Sequence, residues 1–279
     1  MYELNNEEVL RKRKERFSKF GKEAIINDPL RDVALLSRSG ESNTIIDLKI
    51  NHDKRSEMVS MLKLLFYDEK QLTTVEHGLR KLREVFMSIR QDHRDEDESF
   101  WKQASEVYKL SYDFLLRHGQ YNKLGGLVLN AIHEWFPLQY RKPYAKIYAL
   151  YLSHIEKDVP KCVDFLQYSS VSQSESLDII NMANIYVLKS ESPRIWFHYC
   201  KNLKDDELNF LELSSVIQVM INRTDNLLQL CYNQLSVKVA QQLWFGDHFT
   251  SNLETRIKDK YDMRAGTDII LFKKRQIKG

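Results

Sequence analysis

The stretch from Ser56 to Gln234 constrains the fold more than any other feature of this chain. Apolar residues recur in it at three- and four-residue steps, and polar breaks interrupt them roughly every 15 to 22 residues. The step is that of one buried helix face, and the rhythm is that of antiparallel helical hairpins packed side by side. Met58, Val59, Leu62 and Phe66 mark one helix, and Leu72, Val75, Leu79, Leu82, Phe86 and Ile89 mark the next. A long amphipathic helix follows through Phe100, Ala104, Val107, Tyr108, Tyr112 and Leu115, ending at the His118-Gly119-Gln120 turn. Further helices are predicted over 124–136, closed by Pro137, and over 141–157, 161–168, 175–190, 193–203, 206–221 and 225–234. With only 9 Gly and 5 Pro in 279 residues, the chain lacks the punctuation of many short strands and tight turns. The expectation is an all-α helical-hairpin (TPR-like) solenoid over 56–234. No tetratricopeptide consensus is present, so the repeats would be structural and not sequential.

Both flanks depart from that rhythm. Residues 1–29 read as a basic N-terminal arm or helix, and 30–55 as an irregular connection in which short apolar runs (VALL, TIIDLKI) alternate with Ser, Gly and Asn and leave room for one short strand. Over 235–279, Ser236 is placed to cap a short helix, and the WFGD turn leads to a second helix, Phe249 to Lys260. A glycine-containing turn, Tyr261 to Thr267, then enters the apolar strand IILF. Helix, turn, helix and strand in this compact order predict a C-terminal winged helix with a basic tail.

The net charge of +3 hides an uneven distribution. Arg11, Lys12, Arg13, Lys14, Arg16, Lys19 and Lys22 face a single acid, Glu15, and the last seven residues hold Lys273, Lys274, Arg275 and Lys278 with none. Cations clustered at both ends fit a polyanion, because each phosphate contact releases condensed counterions. Lys258, Lys260, Arg264, Lys273, Lys274 and Arg275 are the candidate phosphate contacts of the winged helix, and Arg11, Lys12, Arg13, Lys14 and Arg16 form a second, mobile set. Such contacts position RNA or DNA without reading its bases.

Other functions find little support. Three separated cysteines, Cys162, Cys200 and Cys231, without CxxC spacing argue for a reducing compartment and against a disulfide framework or zinc site. No apolar run is long enough for an ordinary membrane span, and the polar, acidic N-terminus is not a secretory signal. A soluble cytosolic or nuclear protein is expected. The sequence lacks GxxxxGK[ST], GxSxG and HExxH, and has no GxGxxG after a strand; no cofactor or small-molecule substrate is expected. His118 beside Asp113 or Glu106 reads as a helix C-terminal histidine, not a catalytic one. The acidic run Asp92, Asp95, Glu96, Asp97 and Glu98 reads as a solvated loop favouring the next helix N-terminus, not a metal site. A protein adaptor would use the aromatics Trp135, Phe136, Tyr140 and Tyr144. Arg90, closing its helix ahead of that loop, is expected to be buried on carbonyls or a carboxylate.

Helical hairpins handing on to a winged helix resemble PCI-domain proteins, the scaffold subunits of proteasome-lid, signalosome, initiation-factor and messenger-export assemblies. Local motifs are similar to the germinal-centre-associated nuclear protein (SAC/GANP) branch, on its splicing- and messenger-export-linked side. Ser88-Ile89-Arg90-Gln91-Asp92 resembles its Ser-Ile-Arg-Gln-Asp signature, and Val107-Tyr108 and Gly119-Gln120-Tyr121-Asn122 resemble its Val-Tyr pair and Gly turn. Ser192 to Cys200 (SPRIWFHYC) resembles its aromatic helix, Ser236 to Asp247 the opening of its winged helix, and Arg11 to Phe17 (RKRKERF) its upstream basic motif. The chain departs from the branch in having no Cys-Pro segment over 30–53. The resemblance implies structural roles for Arg90, Tyr108 and Gly119. It also implies a PCI-type fold and a nuclear, non-enzymatic subunit that pairs through its winged helix with a second PCI-domain subunit and a small acidic Sem/Dss-type peptide. Such a subunit would bind RNA or DNA in mRNA transcription, processing or export. The alternative is an adaptor subunit of a proteasome-lid, signalosome or initiation-factor type assembly that binds no nucleic acid.

Overall fold

The computed structural model describes residues 30, 43–92, 98–133, 136–245, 261–264 and 266–272. Twelve α-helices and one three-stranded antiparallel sheet lie among the described residues. The chain divides into two compact units, Met1–Ser111 and Tyr112–Gly279.

In the N-terminal unit, α1 (Asn43–Ile50), α2 (His52–Leu65) and α3 (Leu72–Asp92) pack on one another, and α4 (Glu98–Arg117) begins. The expectation of an irregular connection is corrected over the described residues 43–55, where the TIIDLKI run is helical and a second helix begins at His52. A short apolar run satisfies both periods, and tertiary burial decides. Ile45 and Leu48, three apart, are both fully buried, and Arg55 caps the helix end by donating from Nη1 to the carbonyls of Leu48 (2.8 Å) and Lys49 (3.0 Å). Asn51 opens α2, its side chain accepting from the amides of Asp53 and Lys54.

The C-terminal unit contains the end of α4, then α5 (Tyr121–Ile132), α6 (Leu138–Leu150), α7 (Val159–Tyr168), α8 (Gln173–Ala183), α9 (Pro193–Cys200), α10 (Asp205–Leu213) and α11 (Val216–Cys231). Gly119 ends α4 at φ +63°: Gln120 N–H bonds to the Leu115 carbonyl and Gly119 N–H to that of Leu116, a Schellman turn. Helix α6 runs on into a wide π turn, Tyr151–Ile155, and every residue from Tyr144 to His154 is buried. That burial follows from its neighbours, since α5, α7, α8 and α10 all pack against α6. Helix α5 approaches it through Gly125, where a Cβ would stand 2.6 Å from Cε1 and Oη of the buried Tyr151 ring. Gly125→Ala is therefore expected to destabilise by about 1–3 kcal/mol through overpacking. Gly126→Ala, next along with open space around it, should instead stabilise by about 0.5–1 kcal/mol. Opposite shifts of the denaturant midpoint check the pair, and equal shifts would deny the close approach.

One predicted break is misplaced. The polar run Asn222-Arg223-Thr224-Asp225 lies inside α11, and the chain turns instead at Ser214–Ser215, where Ser215 is left-handed at φ +62°. The run is tolerated because its polar groups are partnered: Thr224 Oγ1 donates back to Met220 O at 2.9 Å, and Arg223 donates to the carbonyls of Ile185 (2.5 Å) and Glu191 (3.1 Å).

After α11 comes β1 (Gln234–Ser236), then α12 (Val237–Val239) with Ser236 Oγ as its N-cap, widening into a π segment, Ala240–Phe245. The strands β2 (Asp262–Met263) and β3 (Ile269–Leu271) form a hairpin turned at Gly266, φ +71°. Leu235 and Met263 both sit opposite Ile270, giving the sheet order β1-β3-β2 with the buried Ile270 in its centre. This architecture is consistent with a helical array followed by a winged helix. The predicted helix Phe249 to Lys260 lies outside the described residues, as does the basic segment within 1–29.

Candidate nucleic-acid interface

Of the eleven cations expected at phosphates, Arg264 alone falls among the described residues. It is exposed at the base of the β2–β3 hairpin, its amide bonded to Ile269 O (2.9 Å) and its carbonyl accepting from Thr267. Arg11, Lys12, Arg13, Lys14, Arg16, Lys258, Lys260, Lys273, Lys274 and Arg275 lie outside those residues.

The structural candidates are placed as follows. Tyr108 is buried in α4 beside Arg83; burial pushes its phenol up to about 12, against the lowering effect of that guanidinium. Gly119 makes the left-handed turn already described. Arg90 corrects an expectation, because it is only half-buried, in the last turn of α3, with its guanidinium 5.8 Å from the centre of the Trp101 ring. Among the described residues of that unit Arg55 is a buried arginine, bonded from Nε to Gln103 Oε1 (2.8 Å) as well as to the two carbonyls of α1, over the Phe86 ring. Of the aromatics considered for peptide docking, Phe136 and Tyr144 are core residues and Tyr140 is half-buried.

The structure brings together a site that no single segment announces. Helix α9 starts on Ser192, whose Oγ accepts from the Arg194 amide, with Pro193 in its first turn. Its inner face buries Trp196, Phe197 and Cys200, and Phe197 meets Phe245 of the π segment at 5.7 Å between ring centres. Asn181 Nδ2 of α8 donates to Tyr199 Oη of α9 at 3.1 Å, and Asn202 Nδ2, in the turn after α9, donates to Asp178 Oδ2 of α8 at 2.8 Å. Above that ring pair the outer face of α9 and the π segment enclose a groove of 520 Å³. Arg194, His198 and Lys201 line one side at steps of four and three, and Gln242, Leu243 and Trp244 line the other. All three basic residues are exposed, and among the described residues Arg194 makes no ion pair and no carboxylate is part of the lining. Trp244 is half-buried, its ring edge-on to Tyr232 at 6.0 Å. Apart from Lys201, the lining residues fall within SPRIWFHYC and SVKVAQQLWFGD, two of the stretches that carried the resemblance. The exposed Arg194, His198 and Lys201 were the available signal, since they alternate with the buried Trp196, Phe197 and Cys200 at helical spacing.

Beneath α9 lies a closed polar chain. Trp196 Nε1–H donates to His154 Nε2 (3.2 Å), which puts the imidazole proton on Nδ1 facing Ser153 Oγ (2.8 Å), and that hydroxyl donates to Ala149 O (2.8 Å). Burial pushes the imidazole down to about 3, so it is neutral at physiological pH, and both nitrogens are occupied by structural contacts. Burial likewise raises the thiols of Cys162, to about 11, and Cys200, leaving neither activated as a nucleophile. Among the described residues no group of three His, Cys, Asp or Glu is placed to hold a metal, and no helix is long and apolar enough to cross a membrane. No family model, curated protein or solved structure matches the chain.

Proposed function

We propose that this chain is a non-enzymatic scaffold subunit of a nuclear PCI-type complex that pairs through a C-terminal winged helix with a second PCI-domain subunit. In this reading a small acidic Sem/Dss-type peptide accompanies the pair, and the assembly binds RNA or DNA during mRNA transcription, processing or export. The observation that carries the reading is the sheet order β1-β3-β2, reached after an array of helices, with a helix following β1 and a hairpin closing the module. In the sequence, Lys273, Lys274 and Arg275 follow one residue after β3, the central strand of the sheet. Phosphate contacts made there are electrostatic and indifferent to sequence.

Reversing these three charges together (Lys273→Glu, Lys274→Glu, Arg275→Glu) is expected to weaken binding of single-stranded RNA by the chain and by its co-purified complex. The slope of log affinity against log salt should flatten by about 2, the share of three phosphate contacts on a single strand. Affinity unchanged across the salt range would take the winged helix out of nucleic-acid binding. Complete absence of RNA binding, with partners still co-purifying, would favour the adaptor alternative.

A further inference from the structure

We infer that Lys157 and Lys189, which end two touching π turns, form a phosphate-binding pair for nucleic acid where α6 and α8 finish. This rests on the nucleic-acid reading above, and it adds a contact within the helical array, separate from the basic tail. The first support is backbone conformation. Lys157 (φ +58°) and Lys189 (φ +56°) both stand in the left-handed region, where a Cβ crowds the following carbonyl oxygen and glycine is the default. Each follows a π segment, Tyr151–Ile155 or Asn184–Leu188, and the closing of that segment sets the conformation. Asp158 N–H reaches back to Leu152 O (3.0 Å), and Lys189 N–H reaches back to Asn184 O. Two lysines at positions that favour glycine point to a use for the side chain, since strained residues gather where ligands are held.

The second support is placement. Helices α6 and α8 pack together, and their π turns meet through the rings of His154 and Tyr186, 4.8 Å between centres. Packed helices lie about 8–10 Å apart, which brings both ammonium groups within reach of one strand. Arg223 steadies the second loop by donating to the carbonyls of Ile185 and Glu191. Both lysines are exposed, and neither makes an ion pair among the described residues. Two of the acids beside them are engaged elsewhere: Glu156 is held by Lys161 Nζ (3.0 Å), and Asp158 Oδ1 accepts from the Lys161 amide (2.9 Å). That leaves Glu191 as the one carboxylate of these loops without such a tie. Residues 156–158 and 189–192 include no aromatic or amide side chain to read a base, so the contact is with phosphates and indifferent to sequence.

The test uses the full chain, a fluorescein-labelled oligouridine in anisotropy titrations at several salt concentrations, and chemical denaturation of every variant. Replacing both residues by glycine (Lys157→Gly with Lys189→Gly) should leave the denaturation midpoint unchanged or raised, because left-handed strain is relieved. The same pair should weaken oligouridine binding and reduce the slope of log affinity against log salt by about 1.4, the share of two phosphate contacts on a single strand. Lys157→Arg with Lys189→Arg keeps both charges and should retain the wild-type slope. Wild-type affinity and slope in the Gly pair would overturn the inference, and the nucleic-acid reading would survive it if the Lys273, Lys274 and Arg275 reversal still weakened binding. A lowered midpoint with binding intact would also overturn it, by assigning the lysines to the helix dipoles they terminate. So would a polyglutamate peptide that binds the wild-type chain more tightly than oligouridine and loses that advantage in the Gly pair, which would assign these loops to an acidic protein segment. Failure of the wild-type chain and its co-purified complex to bind oligouridine at low salt would overturn both.

Discussion

Lys146→Ala is expected to destabilise the C-terminal unit by about 3–5 kcal/mol, the usual cost of stripping one partner from a buried ion pair. The ammonium sits in the fully enclosed part of α6 and bridges Glu175 Oε1 (2.6 Å) and Glu207 Oε1 (3.0 Å). Both acids hold the start of a helix: Glu175 completes the capping box of α8 with Ser172, and Glu207 Oε2 accepts from the Lys204 amide ahead of α10 at 2.9 Å. Burial alone would lower the ammonium, but hydrogen bonds to the two carboxylates outweigh it and hold it above the usual lysine range. Hydrogen bonds from Lys146 and Ser172 bring the Glu175 carboxyl from 4.5 down to about 2. That carboxyl therefore stabilises the fold fully above pH 4.5, and the contribution disappears as pH falls towards 2. Glu175 is partly exposed, so most of the loss in Lys146→Ala comes from Glu207, left as a buried carboxylate without its cation. Combining Lys146→Met with Glu207→Gln removes both charges and should cost clearly less than the sum of the two single changes. Chemical denaturation of the wild type, Lys146→Ala, Lys146→Met, Glu207→Gln and the double variant measures this, and a loss below about 1 kcal/mol for Lys146→Ala would show that the pair is not the tie described.

In the N-terminal unit the corresponding change is Arg55→Ala, expected to cost about 3 kcal/mol or more. It leaves the terminal carbonyls of α1 and Gln103 Oε1 without a charged donor in a buried setting, where each such bond is worth about 1.5–3 kcal/mol. Arg55→Lys should rescue little, because an ammonium cannot present Nε and Nη1 donors in two directions and does not lie flat over Phe86. Amide hydrogen exchange gives a local readout: protection should fall first in Asn43–Ile50 and at the start of α2. Full rescue by lysine would reduce the role of Arg55 to that of a simple positive charge.

The helices were legible because their apolar residues are numerous and evenly spaced, as from Met58 to Phe66 and from Leu72 to Ile89. Their exact ends were less so. Residues 43–50 offer only one or two repeats of either period, and what settles them as a helix is the burial of Ile45 and Leu48, with the Arg55 guanidinium from outside the run closing its end. The displaced break in α11 has the same origin, since Arg223 finds its partners at Ile185 and Glu191, more than thirty residues away, where no local pattern foretells them. Strand β1 is three residues long and exists through its pairing with Ile269–Leu271, a partner distant in sequence. For the same reason Arg90 stood out while Arg55 did not: the motif around Arg90 is conspicuous, whereas the burial of Arg55 depends on the meeting of α1, α2 and α4. The groove was hidden because its two walls are separate segments, each looking like an ordinary amphipathic helix until they face one another.

Helix α6 bears on how this chain could change over time. In a simple helical array each hairpin touches only its neighbours, so hairpins can be gained or lost one at a time. Here α6 packs against α5, α7, α8 and α10 together, and its lysine is satisfied only when the starts of α8 and α10 are both present. Removing any hairpin from this stretch would leave a buried charge or an open face on α6. The segment from α5 to α10 is therefore a fixed cassette, and lengthening or shortening of the array is confined to its two ends.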